Sequence, residues 1–123
     1  MKYLIDTHIL LWYMVGDRRI TRGTRKIIED DKNVLFLSNV SLWEITIKES
    51  IGKLILKGSL KDLKNFLDEK GIKIIEFDID DLEKLQSLPF HHQDPFDRLI
   101  VSQAMTKSLE IITNDKQVEI YFE

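Results

Sequence analysis

The chain has 123 residues, 43% of them hydrophobic, enough to close one core, and it reads as a single domain over residues 1–123. It has no cysteine, which excludes disulfides, thiolate metal sites and thiol nucleophiles and fits a reducing compartment. The net charge of −3 argues against a surface that grips a phosphate backbone over its whole area. Tyr3 to Ile5 reads as a short buried strand ending on Asp6, followed by an apolar helix from Thr7 to Val15 that stops at Gly16, a residue suited to a left-handed C-cap. Asp6 and His8 interrupt this apolar segment, and no stretch reaches the roughly 18 apolar residues a membrane span needs, so neither a signal peptide nor an anchor is expected. A cytoplasmic protein without a membrane partner follows.

Thr21 to Asp31 forms a second, more polar helix, and Val34 to Leu37 a continuous apolar strand. A third helix runs from about Val40 to Ile51 and ends at Gly52. Ser59 with Asp62 opens an amphipathic helix that Gly71 closes, and Ile72 to Phe77 is a third strand. Asp78 or Asp80 caps a short helix ending before Pro89; Asp94 and Pro95 start another through Ser108; Glu110 to Thr113 is the fourth strand. Too few residues separate Thr113 from Val118 for a further parallel strand, which leaves an antiparallel return strand, suited to the alternation of Val118, Ile120 and Phe122, or a helical turn; the turn is expected, because it lets Val118 and Tyr121 pack inward.

Apolar strands alternating with helices call for an α/β domain, with a parallel sheet of about four strands covered on both faces. Ligands of such sheets bind beyond the carboxyl ends of the strands, near a topological switch point. Asp6 ends the first strand, Asp115 follows the fourth, Asp97 lies in the first turn of the helix leading into it, and Glu44 lies in the first turns of the helix after the second. If the first and fourth strands are neighbours, these acids converge, and anions so gathered need a divalent cation.

Each acid also has a plainer reading. Glu44 completes a Ser-x-x-Glu capping box with Ser41, Asp94 is a natural N-cap before Pro95, Asp97 complements a helix dipole, and Asp115 suits a turn. Asp6 alone lacks an evident structural partner. His8, His91 and His92 show no metal-binding spacing and read as loop polarity, and Trp12 and Trp43 read as core residues. Arg18, Arg19, Arg22, Arg25 and Lys26, and the series Lys48, Lys53, Lys57, Lys61 and Lys64, are either solvated helix faces or a basic rim to an acidic pocket. No Gly-rich phosphate loop is present.

The stretch Asp6-Thr7-His8-Ile9-Leu10-Leu11-Trp12 resembles the opening of PIN domains, in particular the VapC-like toxins of type II toxin-antitoxin systems. Ser41-Leu42-Trp43-Glu44-Ile45 with Lys48 and Gly52-Lys53-Leu54, His91-His92-Gln93-Asp94-Pro95-Phe96-Asp97-Arg98-Leu99-Ile100, and Thr113-Asn114-Asp115 agree with that family in order and spacing. The resemblance, spanning residues 3 to about 121, implies a single PIN-like (Rossmann-like) domain that cleaves RNA as a magnesium- or manganese-dependent endoribonuclease. It implies Asp6, Glu44, Asp97 and Asp115 as catalytic, metal-holding acids, an antitoxin partner and a homodimer. Members usually continue into one more strand. Thr7 and Thr113 are placed to orient carboxylates, and Arg98 to counter phosphate charge.

Two other classes compete with this one. A phosphoacceptor receiver-like domain also sets acids and magnesium at strand ends, but wants adjacent acids after the first strand, where Thr7 and His8 stand here. A catalytically idle PIN-fold binding module would keep the fold and its partner surface.

Overall fold

Four short apolar runs pair in parallel to make the sheet: β1 (Lys2–Ile5), β2 (Val34–Ser38), β3 (Lys73–Ile75) and β4 (Glu110–Ile112), in spatial order β3-β2-β1-β4. The computed structural model describes residues 1–123. Tyr3 stands opposite Leu35 on one side and Glu110 on the other, so β1 is central and β4 lies at an edge. The chain winds outward from β1 to β3, then crosses back to lay β4 on β1's free side. The switch point therefore falls between β1 and β4, where their carboxyl ends diverge.

Strand alternation divides the interior in two. Ile5, Leu35 and Leu37 point into one core with Ile9, Leu10 and Tyr13 of α1 (Thr7–Val15), Ile28 of α2 (Arg22–Glu29) and Leu63 and Leu67 of α4 (Leu60–Lys70). Leu4 points the other way, toward Leu99, Ile100 and Ala104 of α6 (Pro95–Thr106) and Val40 of α3 (Asn39–Ser50). Both faces are thus covered, as continuous apolar strands require. Each fully buried Leu or Ile contributes about 1.5–3 kcal/mol relative to exposure. No helix is long and apolar enough to cross a membrane.

Local signals fix most boundaries. Ser59 and Asp62 form a reciprocal capping box on α4, and Asp78 and Asp81 form another on α5 (Ile79–Ser87). Gly16 ends α1 at φ 67, a left-handed conformation that strains any residue with a Cβ. The tail forms α7 (Lys116–Glu119) and a 3-10 turn (Ile120–Phe122), the helical shape expected for it.

Two expectations fail. The capping box does not form at Ser41: Ser38 caps α3, so Ser41 and Glu44 lie inside the helix, both buried. Trp43 is not a core residue; it is 56% exposed, edge-on to Phe96 at 5.0 Å between ring centres. Trp12, by contrast, packs against the first core as expected, half-buried, with the Arg19 guanidinium 4.5 Å above its ring. At Trp43 the helix is apolar on more faces than the core covers, so apolar neighbours in sequence did not imply burial.

Candidate metal centre

Asp6 follows β1 directly, and its backbone N–H still pairs with Ile112 of β4 at 2.9 Å. It occupies the N-cap position of α1, yet its carboxylate makes no capping bond. Instead Thr113, just past β4, donates its hydroxyl to Asp6 Oδ2 at 2.7 Å. Thr113 Oγ1 in turn accepts from the backbone N–H of Asp115 at 3.0 Å, placing that residue beside Asp6 at the switch point. Asp115 also caps α7 by accepting from Gln117 N, so its turn role and its place at the site coexist.

Glu44 arrives from α3, 1% exposed, and Asp97 from the first turn of α6, 7% exposed. Thr7 Oγ1 lies 2.8 Å from Glu44 Oε1 and Lys48 Nζ lies 2.6 Å from Glu44 Oε2, one helical turn on. Asp94 caps α6, accepting from Phe96 N and Asp97 N, and stands beside Asp97. Ligand atoms of Glu44, Asp94 and Asp97 lie within 4.8 Å of one another, and so do those of His92, Asp97 and Asp115. Asp97 belongs to both groups.

Such crowding of anions away from water is costly, and Asp97 shows it. Burial, reinforced by the charges of Asp6, Asp94, Glu44 and Asp115, pushes its carboxyl up to about 8 from an ordinary 3.8. Burial also raises Asp6, against the lowering effect of the Thr113 hydroxyl. Partial burial works against the charge of Lys48, but the bond to Glu44 and the field of Glu44, Asp94 and Asp97 outweigh it and hold the ammonium above its ordinary value. Lys48 is one cation facing several carboxylates. The donors are oxygen-rich and hard, with a single imidazole at hand, a set that fits a divalent ion such as Mg2+ or Mn2+.

Of the four acids selected from sequence, Asp97 shares one group with Glu44 and the other with Asp115, while Asp6 stands outside both groups but near enough for its charge to raise the Asp97 carboxyl; Thr7 and Thr113 are bonded to Glu44 and Asp6. Arg98 does not face the cluster. Its side chain is buried, donating to the carbonyls of Pro89, Leu85 and Leu88 and to the Tyr121 hydroxyl, with its guanidinium 4.0 Å from the Phe90 ring centre. It organises the loop before α6 and is unavailable to a phosphate. His92, read as loop polarity, lies in the cluster: Nε2 stands 3.0 Å from Asp115 Oδ2 and 3.1 Å from Asp97 Oδ2. The signal for it was topological, since a loop joining α5 to α6 must pass over the strand ends. His8 and His91 are exposed. Of the basic series, Lys48 pairs with Glu44, whereas Arg19 pairs with Asp17 and Lys64 with Asp68 at the surface.

Sheet, switch point and acid cluster together define a Rossmann-like α/β domain with an acidic centre at its strand ends. The model of the PIN domain matches residues 3–121, and the chain belongs to that family. Among solved structures it is similar to VapBC2 from Rickettsia felis bound to a promoter DNA fragment, with 19% identity and a TM-score of 0.72 over 98% of this chain and 93% of that one. It is also similar to a toxin-antitoxin complex from Klebsiella pneumoniae, with 20% identity and a TM-score of 0.59 over 92% of this chain and 86% of that one. At these identities the likeness establishes the fold. Among curated proteins none matches the sequence.

Proposed function

We propose that this protein is a divalent-metal-dependent endoribonuclease, the toxin of a toxin-antitoxin pair. The observation carrying this reading is the convergence of Asp6, Glu44, Asp97 and Asp115 on the switch point, with the Asp97 carboxyl driven up to about 8 by burial and by its neighbours' charges. A purely structural role gives no reason to gather so many anions on one spot. Asp97 and Asp115, with Asp6 beside them at the end of β1, would hold the cation, and Glu44 would approach it from α3. When bound, Mg2+ or Mn2+ supplies the charge that acidifies water and offsets a phosphodiester's negative charge.

The chain's own residues do the rest. Thr113 and Thr7 fix the rotamers of Asp6 and Glu44 through bonds of 2.7 and 2.8 Å. Lys48, 25% exposed in its side chain, steadies Glu44 and presents positive charge at the edge where an RNA phosphate would enter. The buried strand ends and the walls of α3 and α6 keep the carboxylates in a poorly solvated setting, where their charges act strongly.

The similar structures are complexes of toxins with antitoxins, which supports an antitoxin partner here. A cleft of about 290 Å³ between α1 and residues 53–57, lined by Leu11, Trp12, Met14, Val15 and Ile55, offers apolar surface for its segment. Self-association is supported best by α3 and its C-cap, where Trp43, Ile47 and Ile51 leave an apolar row about one helical turn apart, 56%, 39% and 59% exposed. The α1 surface is more enclosed, with Ile9, Leu10 and Tyr13 buried.

The deciding experiment incubates Mn2+-loaded protein with a pool of tRNA, rRNA and mRNA and maps the cut ends. Metal-dependent cleavage lost in Asp97→Asn is expected. Metal binding without cleavage of any RNA would leave a binding module in place of an enzyme.

A further inference from the structure

His92 sits at the acid cluster with both ring nitrogens engaged. Nδ1 accepts a hydrogen bond from the backbone N–H of Asp94 at 3.0 Å. A ring nitrogen that accepts carries no hydrogen, so the ring's proton is on Nε2, a tautomer assigned by its partners. Nε2–H then bonds Asp115 Oδ2 at 3.0 Å and faces Asp97 Oδ2 at 3.1 Å. The ring is held from behind as well. The backbone N–H groups of His91 and His92 both donate to the Tyr121 hydroxyl at 3.1 Å. That hydroxyl donates to Pro89 O at 2.7 Å and accepts from Arg98 Nη1 at 3.1 Å. A knot built from the tail, the pre-α6 loop and a buried arginine thus aims one N–H at two carboxylates.

We propose that His92 is a positioning residue of this centre: its backbone-fixed tautomer makes Nε2–H a donor that gathers Asp97 and Asp115 for the cation, without being a ligand itself. The inference rests on the divalent-metal reading of the site. An uncharged N–H donor suits the task because it draws two carboxyl groups together yet adds no full charge to compete with an incoming ion. Direct ligation through Nε2 requires the proton to move to Nδ1, and the bond from Asp94 N–H opposes that. Asp94 N lies in the turn that caps α6, so the tautomer is tied to the same turn that sets the position of Asp97.

Two variants and one spectroscopic measurement test this. His92→Phe keeps a ring and removes the donor; His92→Gln places an amide N–H at similar reach. By calorimetric titration, His92→Phe is expected to weaken Mn2+ binding about tenfold, the low end of losses seen when outer partners of metal ligands are removed, and His92→Gln to recover most of it. Pulsed electron paramagnetic resonance of the Mn2+-loaded wild type is expected to show no directly bound histidine nitrogen. In the metal-free wild type, which requires no variant to fold, nitrogen NMR should report the Nε2–H tautomer of His92. Unchanged Mn2+ affinity in a folded His92→Phe, a directly bound ring nitrogen, or an Nδ1–H tautomer each overturns the proposal while leaving the metal centre intact. A wild type that binds no Mn2+ at all would remove the metal reading and this inference together.

Discussion

The Thr113 hydroxyl donates to Asp6 Oδ2 at 2.7 Å, joining the ends of β4 and β1 across 107 positions of sequence. The bond compensates a carboxylate that makes no capping contact with its own helix, and through Asp115 N it orients a second acid. Thr113→Val keeps the shape and deletes both links. The expected result is a loss of about 1–3 kcal/mol in the metal-free protein, the cost of leaving a buried polar partner unmade, together with weaker Mn2+ binding. Urea unfolding and calorimetric titration measure the two; wild-type values in both would show the bond to be incidental.

Asp97 makes metal-free stability depend on pH in a definite direction. Its folded pKa, about 8, lies above the ordinary 3.8, so the folded state holds the proton that the unfolded chain releases. This contribution is fully present below 3.8, declines as pH rises, and is gone once pH passes about 8. Thermal melts in chelator should therefore show stability falling from pH 5 to pH 9, with a shallower slope in Asp97→Asn. At pH 8 that variant should be as stable as the wild type or more so, because one anion of a crowded set has gone. A large drop in its melting temperature would make Asp97 a structural partner.

Arg98 is expected to govern stability rather than RNA affinity. Its guanidinium satisfies several carbonyls that a lysine ammonium cannot reach together, so Arg98→Lys should cost on the order of 3 kcal/mol. Denaturant midpoints give the loss. Were stability unchanged and RNA binding reduced, a phosphate contact would be restored to it.

The proposed self-association runs through the exposed row of Trp43, Ile47 and Ile51. Ile47→Glu sets a charge at its middle, and should convert a dimer to a monomer in light scattering at micromolar concentration without altering the melting temperature of the monomer appreciably. A wild type that is already monomeric, or a variant that stays dimeric, would move the interface elsewhere.

The sequence by itself determined the elements and their order, because the signals involved are local. Ser59 with Asp62 and Asp78 with Asp81 cap their helices within a few residues of chain, and Gly16 ends α1 by a conformation it alone adopts without strain. The continuous apolar runs of β1 and β2 required cover on both faces, and short spacing after Thr113 excluded a parallel return. The places of the four acids were legible as well: Asp6 and Asp115 follow strands β1 and β4, and Glu44 and Asp97 lie within the first two turns of α3 and α6.

Only the tertiary structure decided which residues share the site and which face away. Glu44 and Ser41 fit a capping box in sequence, but Ser38 takes the cap, and Glu44 turns inward to Thr7 and Lys48. Arg98 is adjacent to Asp97 in sequence, yet one step along a helix rotates a side chain by about 100°, carrying it into the loop's carbonyls instead of the cluster. His92 carries no pattern of its own; it reaches Asp97 and Asp115 because β4 pairs with β1 and the Tyr121 knot folds the loop over their ends. Caps and strand patterns are settled by neighbours a few residues apart, whereas the partner of a buried side chain is set by strand order and helix rotation, which only the folded chain as a whole determines.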